Sequence, residues 1–232
     1  MNETIRLIAN IVTWQGEFLM CGHRMLLTRF KHCNRADKPE EGGMGKKCLF
    51  CDTSILMRNT TESEYTLSQL QEVLDSEKLI GMLVTGGEPG HNLNLNQTVL
   101  MLNKLNYKIS NVETNGCNLS KMISLVNKNK KVYYSFSPKL FDDNDFEFST
   151  NLVEEIKNNE DVYIKLVYTD SELDNKFLDY ITNINFSNHR LFLMPEGTTR
   201  EKLIENSPKV FDACEKYKCN FSSREHIIYN FI

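Results

Sequence analysis

The sequence predicts an α/β fold in which mostly parallel strands form a partial, incomplete β/α barrel. Short apolar runs of strand length alternate with helical patterns from about residue 66 onward. Apolar runs of this kind are typical of parallel strands that are buried between crossover helices. The strand–helix pairs are too few for the eight units of a complete barrel. A chain of 232 residues can bury a full core, so we expect a single domain over residues 1–232.

The elements are predicted in order from their local signals. Thr66 and Gln69 have the spacing of a capping box, which predicts a helix through about Glu77. Apolar runs predict strands at 79–84, 108–112, 132–136, 162–167 and 190–194. Helical patterns cover 94–105, 119–126, 151–157, 172–181 and 200–217, and we expect Pro208 to kink or split the last helix. Residues 34–47, which are rich in Gly, and the acidic run 142–145 are predicted to be loops.

Composition excludes several classes of protein. The formal net charge of −4 and the pI of about 5.8 do not favour binding to nucleic acid. No apolar run has the length of a membrane helix, and residues 1–4 do not begin a signal peptide. The seven cysteines cannot all pair in disulfides within the chain. This odd number favours reduced thiols and predicts a cytoplasmic protein.

Three cysteines, Cys33, Cys48 and Cys51, indicate a metal centre. An iron–sulfur cluster held by three thiolates leaves one iron open to a ligand. A structural zinc site would need a fourth protein ligand, which could come from Cys21, His23 or His32. The cysteines alone leave both interpretations open.

Polar motifs follow four of the predicted strands, at the edge where β/α folds bind ligands. These motifs are Thr85–Pro89, Glu113–Gly116, Ser137–Lys139 and Met194–Glu196. Gly86 and Gly87 would let the backbone approach a ligand, and Glu88 could pair with an ammonium group. Ser137 and Lys139 suit a ribose and a carboxylate. S-adenosylmethionine (SAM) has an amino acid end and a nucleoside end, and cleaving its sulfonium with one electron gives a 5′-deoxyadenosyl radical.

Together, these motifs resemble the radical SAM enzymes and, within that superfamily, the 7-carboxy-7-deazaguanine synthase family. The resemblance covers nearly the whole chain in order. It includes the following segments: Trp14–Glu17, Arg29–Phe30, Cys48–Thr53, Thr85–Pro89, Glu113–Gly116, Ser135–Lys139, Leu193–Gly197 and Ser223–Ile227.

The resemblance implies conversion of 6-carboxy-5,6,7,8-tetrahydropterin to 7-carboxy-7-deazaguanine with loss of ammonia. It also implies a homodimer, a [4Fe-4S] cluster on Cys33, Cys48 and Cys51, Mg²⁺ on Thr53, and an electron donor such as flavodoxin or ferredoxin. The residues that would bind SAM are Phe50, Cys51, Asp52, Gly87, Glu88, Ser137, Pro138, Lys139, Met194, Pro195 and Glu196. The residues that would bind the pterin are Trp14, Gln15, Gly16, Glu17, Arg29, Thr85, Glu113 and His226.

The sequence departs from the family pattern at three places. Fourteen residues separate Cys33 from Cys48, which is longer than the usual superfamily spacing; Phe18 stands where many members have Gly; and the segment 228–232 lacks a Trp-Gly pair. Two other functions stay open from the residues. One is a radical SAM enzyme that activates a glycine of a partner protein, and the other is a zinc-bound interaction module.

Overall fold

The structure, a computed structural model, describes residues 3–41, 43–46, 48, 50–51 and 59–231. It confirms the predicted α/β class with a mostly parallel, open sheet. The chain divides into two compact units. The first contains residues 1–15 and 23–134, and the second contains residues 16–22 and 135–232.

The first unit combines parallel and antiparallel strands. Its strands are β1 (Thr4–Leu7), β2 (Ala9–Trp14), β3 (Arg24–Phe30), β4 (Ser63–Thr66), β5 (Gly81–Gly86) and β6 (Ile109–Thr114). Strands β3, β5 and β6 are parallel neighbours, with Arg29 paired to Thr85. Strand β2 pairs antiparallel with β3, and β1 pairs antiparallel with β4 in a separate two-stranded sheet. None of these antiparallel pairs was predicted from the sequence.

The helices of the first unit are α1 (Leu67–Ser76), α2 (Leu95–Lys104) and α3 (Leu119–Leu125). The capping box before α1 is confirmed. The amide of Gln69 donates to Thr66 Oγ1 at 3.2 Å, and the amide of Thr66 donates to Gln69 Oε1 at 2.8 Å. Leu70 and Leu74, four residues apart on one face of α1, are buried. Local patterning therefore predicted this helix within one residue at each end.

The second unit is built from strands that alternate with helices. Strand β7 (Val132–Phe136) begins in the first unit and ends in the second, and it is followed by β8 (Val162–Tyr168), β9 (Leu191–Pro195) and β10 (Asn220–Phe221). Strand β9 lies between β8 and β10 and is parallel to both. The helices are α4 (Asp143–Ile156), α5 (Glu172–Asn183), α6 (Arg200–Tyr217) and α7 (Glu225–Tyr229).

Helix α4 corrects the prediction that residues 142–145 form a loop and that the helix begins at 151. The helix begins at Asp143, and the side chain of Asp142 accepts a hydrogen bond from the amide of Asp145 at 3.0 Å. Acidic side chains are favourable here because the first turn of a helix carries unpaired N–H groups and a partial positive charge. The acidic run is therefore the cap and first turn of the helix.

Helix α6 corrects the expectation that Pro208 splits it. The helix is continuous from Arg200 to Tyr217 with Pro208 inside it. A proline in a helix removes the hydrogen bond to the carbonyl four residues earlier. That residue is Ile204, which lies on the exposed side of the helix, where it is 57% exposed.

Arg190 joins the end of α4 to β8 through backbone carbonyls. Its Nη1 donates to the carbonyls of Asn159 at 2.6 Å and of Val162 at 2.9 Å. Its Nη2 donates to the carbonyl of Lys157.

Among the helices that the structure describes, none is both long and apolar enough to cross a membrane.

Candidate active site

The segment after β3 carries the first cysteine of the predicted cluster. Cys33 is buried, and its amide donates to the carboxylate of Asp37 at 3.1 Å. The same carboxylate lies 3.0 Å from Nδ1 of His32. Cys48 and Cys51 are half-buried and are joined by a backbone hydrogen bond of 3.2 Å from the amide of Cys51. None of these three described cysteines forms a disulfide.

Grouping of these cysteines around a metal stays a prediction. Among the described side chains, which include all three cysteines, no group of three Cys, His, Asp or Glu residues lies close enough together to hold a metal ion. Asp52 and Thr53, predicted to bind SAM and Mg²⁺, lie outside the described residues. Of the fourth ligands considered for zinc, His32 is engaged by Asp37, and Cys21 is exposed.

Gly86 and Gly87 let the end of β5 lie directly against the backbone that leads to Cys33. A Cβ at position 87 would be 2.2 Å from the carbonyl oxygen of His32, and one at position 86 would be 2.3 Å from the amide nitrogen of Phe30. Gly86 also has a φ of +123°. The amide of Gly87 donates to the carbonyl of Phe30 at 2.8 Å. In the structure, these glycines admit the backbone of the segment from Phe30 to His32, and their predicted approach to a ligand stays a prediction.

Glu88 is 1% exposed, and its carboxylate is held by the loops around it. Oε1 accepts from the amide of Gly90 at 2.8 Å and from the hydroxyl of Thr114 at 2.6 Å. Oε2 accepts from the amide of Asn115 at 2.6 Å. The first role of this carboxylate is therefore to join the loop after β5 to the loop after β6. It is not the cap of α2, where Asn94 occupies the position before the helix.

Asn94 also belongs to this site, although no sequence motif predicted it. Its side chain is fully buried, and Nδ2 donates to the carbonyls of His32 at 2.9 Å and of Glu88 at 2.8 Å. It thereby links the cysteine segment to the loop after β5. No motif marked Asn94, because its role depends on which backbone carbonyls the fold brings next to it.

Cys117, which follows the Glu113–Gly116 motif, is a half-buried thiol. Burial, followed by the neighbouring Glu88 and Cys33, raises the pKa of this thiol to about 12. The thiol is therefore neutral at physiological pH.

Three of the residues predicted to bind the pterin meet at the carboxyl ends of β5 and β6. Glu113 accepts hydrogen bonds from Gln15 Nε2 at 3.2 Å and from the hydroxyl of Thr85 at 3.1 Å. Each donor bonds to a different oxygen of the carboxylate. Arg29 lies opposite Thr85 in the parallel pair of β3 and β5, and Trp14 at the end of β2 is 50% exposed.

The other predicted pterin residues lie in the second unit. Gly16 lies against His226, since a Cβ at position 16 would be 2.4 Å from Nδ1 of the imidazole. The carbonyl of Gly16 accepts from the amide of Glu225 at 2.6 Å, and Glu17 forms a β-bridge with Arg224. Arg224 is buried and donates from Nη1 to the carbonyl of Gly197 at 2.8 Å. The fold thus joins the Gly16–Glu17 motif to the motif at 223–227.

The structure accommodates Phe18 at the position where many members of the family have Gly. Its φ of 65° lies in the left-handed region that glycine adopts without strain. Its ring packs edge-on against Tyr163 and Phe192, with centroids 5.7 and 4.7 Å away. Its amide donates to Ser222 Oγ at 2.9 Å. Aromatic packing therefore offsets the backbone strain at this position.

The two remaining motifs also lie in the second unit. Lys139 Nζ donates to Ser137 Oγ at 2.8 Å, and Ser137 is 8% exposed, so this lysine is not an ordinary surface side chain. Met194 and Pro195, at the end of β9, are buried. Glu196 is half-buried, and its carbonyl accepts from Asn206 Nδ2 at 2.7 Å.

Comparison with known proteins agrees with these motifs. No protein-family model matches the chain. A curated 7-carboxy-7-deazaguanine synthase from Hyperthermus butylicus is 21% identical over 234 residues, which cover 98% of this chain and 94% of that protein.

Two solved structures share the fold. The crystal structure of QueE from Escherichia coli aligns with a TM-score of 0.62 and 17% identity, covering 96% of this chain and 95% of that chain. SuiB from Streptococcus suis, solved with its precursor peptide SuiA, aligns with a TM-score of 0.54 and 15% identity. That alignment covers 79% of this chain and 48% of SuiB.

The chain shares with these two structures an α/β fold with a mostly parallel, open sheet. The comparisons also confirm the predicted resemblance to 7-carboxy-7-deazaguanine synthase and the prediction that the chain is an enzyme.

Proposed function

We propose that this protein is a radical SAM enzyme that converts 6-carboxy-5,6,7,8-tetrahydropterin to 7-carboxy-7-deazaguanine with loss of ammonia, in 7-deazapurine (queuosine-type) biosynthesis. The observation that carries the proposal is the carboxylate of Glu113, held between Gln15 and Thr85 at the carboxyl ends of the strands. The near full-length similarity to a synthase of that name supports it.

The chemistry of Glu113 suits a pterin. The pyrimidine ring of a pterin presents an N–H and an amino group side by side, and a carboxylate can accept hydrogen bonds from both. Gln15 and Thr85 would orient the carboxylate before the substrate arrives, which lowers the cost of binding. Arg29 would bind the substrate carboxylate, since a guanidinium can donate two parallel hydrogen bonds to it. Gly16, Glu17, Trp14 and His226 are proposed as further pterin contacts.

The three thiols fit the proposed cluster by their chemistry. Cys33, Cys48 and Cys51 would each supply a thiolate, and three thiolates leave one iron for another ligand. Phe50, Asp52, Gly87, Glu88, the segment Ser137–Lys139 and the segment Met194–Glu196 are proposed to bind SAM, and Thr53 to bind Mg²⁺ through its hydroxyl. When bound, the cluster and SAM would supply the electron and the radical that removes hydrogen from the substrate.

The roles of the chain itself follow from burial and charge. Lys139, oriented by Ser137, offers a cation for the carboxylate of SAM. Glu88 offers a buried negative charge that is already fixed by backbone donors, which suits an ammonium group without reorganisation. We further propose an electron donor such as flavodoxin or ferredoxin, a homodimer, and a reducing compartment such as the cytoplasm.

The test is a product assay. Protein that is reconstituted anaerobically with iron and sulfide should convert the tetrahydropterin to 7-carboxy-7-deazaguanine when SAM, Mg²⁺ and a reductant are present, as measured by mass spectrometry. Formation of 5′-deoxyadenosine without the deazaguanine would overturn the substrate and favour an enzyme that activates a partner protein.

The metal is tested separately. Cys48→Ala should lose the iron and the visible absorption of the cluster. Cys21→Ala, which removes an exposed cysteine, should keep both. Loss of the metal in both variants, with zinc in place of iron in the unmutated protein, would favour the zinc-bound module.

A further inference from the structure

Glu17 and Lys165 form an ion pair inside the second unit. Lys165 Nζ lies 3.3 Å from Glu17 Oε2, and the side chains are only 6% and 9% exposed. Lys165 is in the middle of β8, where the flanking residues Ile164 and Leu166 are buried. A lysine in such a strand loses most of its hydration, and a carboxylate partner is what makes its burial tolerable.

The backbone around Glu17 is held without Lys165. The carbonyl of Gly16 is bonded to the amide of Glu225, Glu17 itself forms a β-bridge with Arg224, and Phe18 is bonded to Ser222. What Lys165 adds is therefore the position of the Glu17 carboxylate, and not the path of the chain.

Stability alone does not account for this pair. The cost of removing two charges from water roughly cancels their attraction, so an apolar pair of similar volume is often as stable. A fixed carboxylate, however, is useful where a ligand must be bound in one orientation.

We propose that Lys165 is a positioning residue: it holds the Glu17 carboxylate in the orientation that binds the pterin. The inference rests on the proposed function, because it assigns the pterin as the ligand of Glu17. Lys165 does not touch the substrate in this proposal and acts only through Glu17.

The experiment is a double-mutant cycle on substrate binding. The variants are Lys165→Met, Glu17→Gln and the double variant, each reconstituted with the cluster and SAM. Three quantities are measured: the Kd of the fluorescent oxidised analogue 6-carboxypterin, and the KM and kcat of the conversion. Lys202→Met is the matched control, since Lys202 pairs with Glu205 at 3.0 Å on the surface of the same unit.

We expect Lys165→Met to raise the Kd and KM by roughly tenfold or more, because a small displacement of an orienting group has effects of this size. The double variant should then match Glu17→Gln within about twofold, since Lys165 has no role once the carboxylate is gone. Lys202→Met should bind as the unmutated protein does. If Lys165→Met alone fails to fold because Glu17 is left unpaired, the double variant, which has no buried charge from the pair, still gives the comparison with Glu17→Gln.

Two results would overturn the inference. One is a Kd for Lys165→Met equal to that of the unmutated protein. The other is a double variant that binds much more weakly than Glu17→Gln, which would show that Lys165 acts on the ligand or the fold independently. Failure of the proposed function is distinguishable, because then the unmutated protein itself neither binds the analogue nor forms the product.

Discussion

Replacing Glu88 by Gln tests whether its carboxylate joins the loops after β5 and β6. A glutamine has one acceptor oxygen where the carboxylate has two, and its NH₂ group cannot accept. If the oxygen stays toward Gly90 and Thr114, the NH₂ group faces the amide of Asn115; if it is reversed, the NH₂ group faces the amide of Gly90. In either orientation, one backbone N–H loses its acceptor: the half-buried amide of Asn115 or the buried amide of Gly90.

The size of the effect follows from that count. A hydrogen bond to a charged group contributes about 1.5–3 kcal/mol, and a buried donor left unsatisfied costs about 1–3 kcal/mol, so we expect a loss of about 3 kcal/mol in the free energy of unfolding. Urea unfolding measures it. Glu77→Gln is the control, because Glu77 pairs with Arg24 at 2.8 Å with both side chains 46% exposed. An exposed pair of this kind contributes less than about 1 kcal/mol. Equal losses in the two variants would refute the reasoning.

Three further predictions concern other parts of the fold. Phe18→Ala should lower the free energy of unfolding by about 3–5 kcal/mol through lost packing. Phe18→Gly removes still more side-chain volume, but its loss in the free energy of unfolding should be about 1 kcal/mol smaller than that extra volume alone would give, because glycine adopts the left-handed backbone without strain. Urea unfolding of both variants checks this. Arg190→Met should cost about 2–4 kcal/mol, because the carbonyls that Arg190 binds lose a charged donor, and a loss below 1 kcal/mol would contradict this. Burial, followed by the hydrogen bond to Glu154, raises the pKa of Tyr180 from 10.0 to about 12. Because the folded-state pKa is the higher one, this stabilisation is present below about pH 10 and is lost as the pH rises toward 12, so the difference in Tm between the unmutated protein and Tyr180→Phe should shrink over that interval.

The sequence predicted the repeated part of the fold because those elements have local signals. Strand β7 and helix α6 have the predicted bounds, and α1 differs by one residue at each end, since its capping box is a short-range pattern. The antiparallel pairing of β2 with β3 was missed, because pairing is a property of two segments and no tight-turn motif marked the connection between them.

The residues of the candidate site were likewise predicted from the sequence, but their contacts were not. Glu113 was predicted from its place after a strand, but its contacts with Gln15 and Thr85 appear only in the structure. For Glu88, the residue type predicted a carboxylate at the site but not its partners. Those partners are three donors from two loops, which bind the carboxylate in the structure.

By itself, the sequence determined the alternation of strands and helices, the order of the motifs and the chemistry that each motif can offer. Those properties depend on residue type and on neighbours a few positions away. Only the tertiary structure decided that Glu17 pairs with Lys165 and that Gly16 lies against His226. These residues are far apart in the chain, and only burial in a common core brings a charge and its partner within a few ångströms.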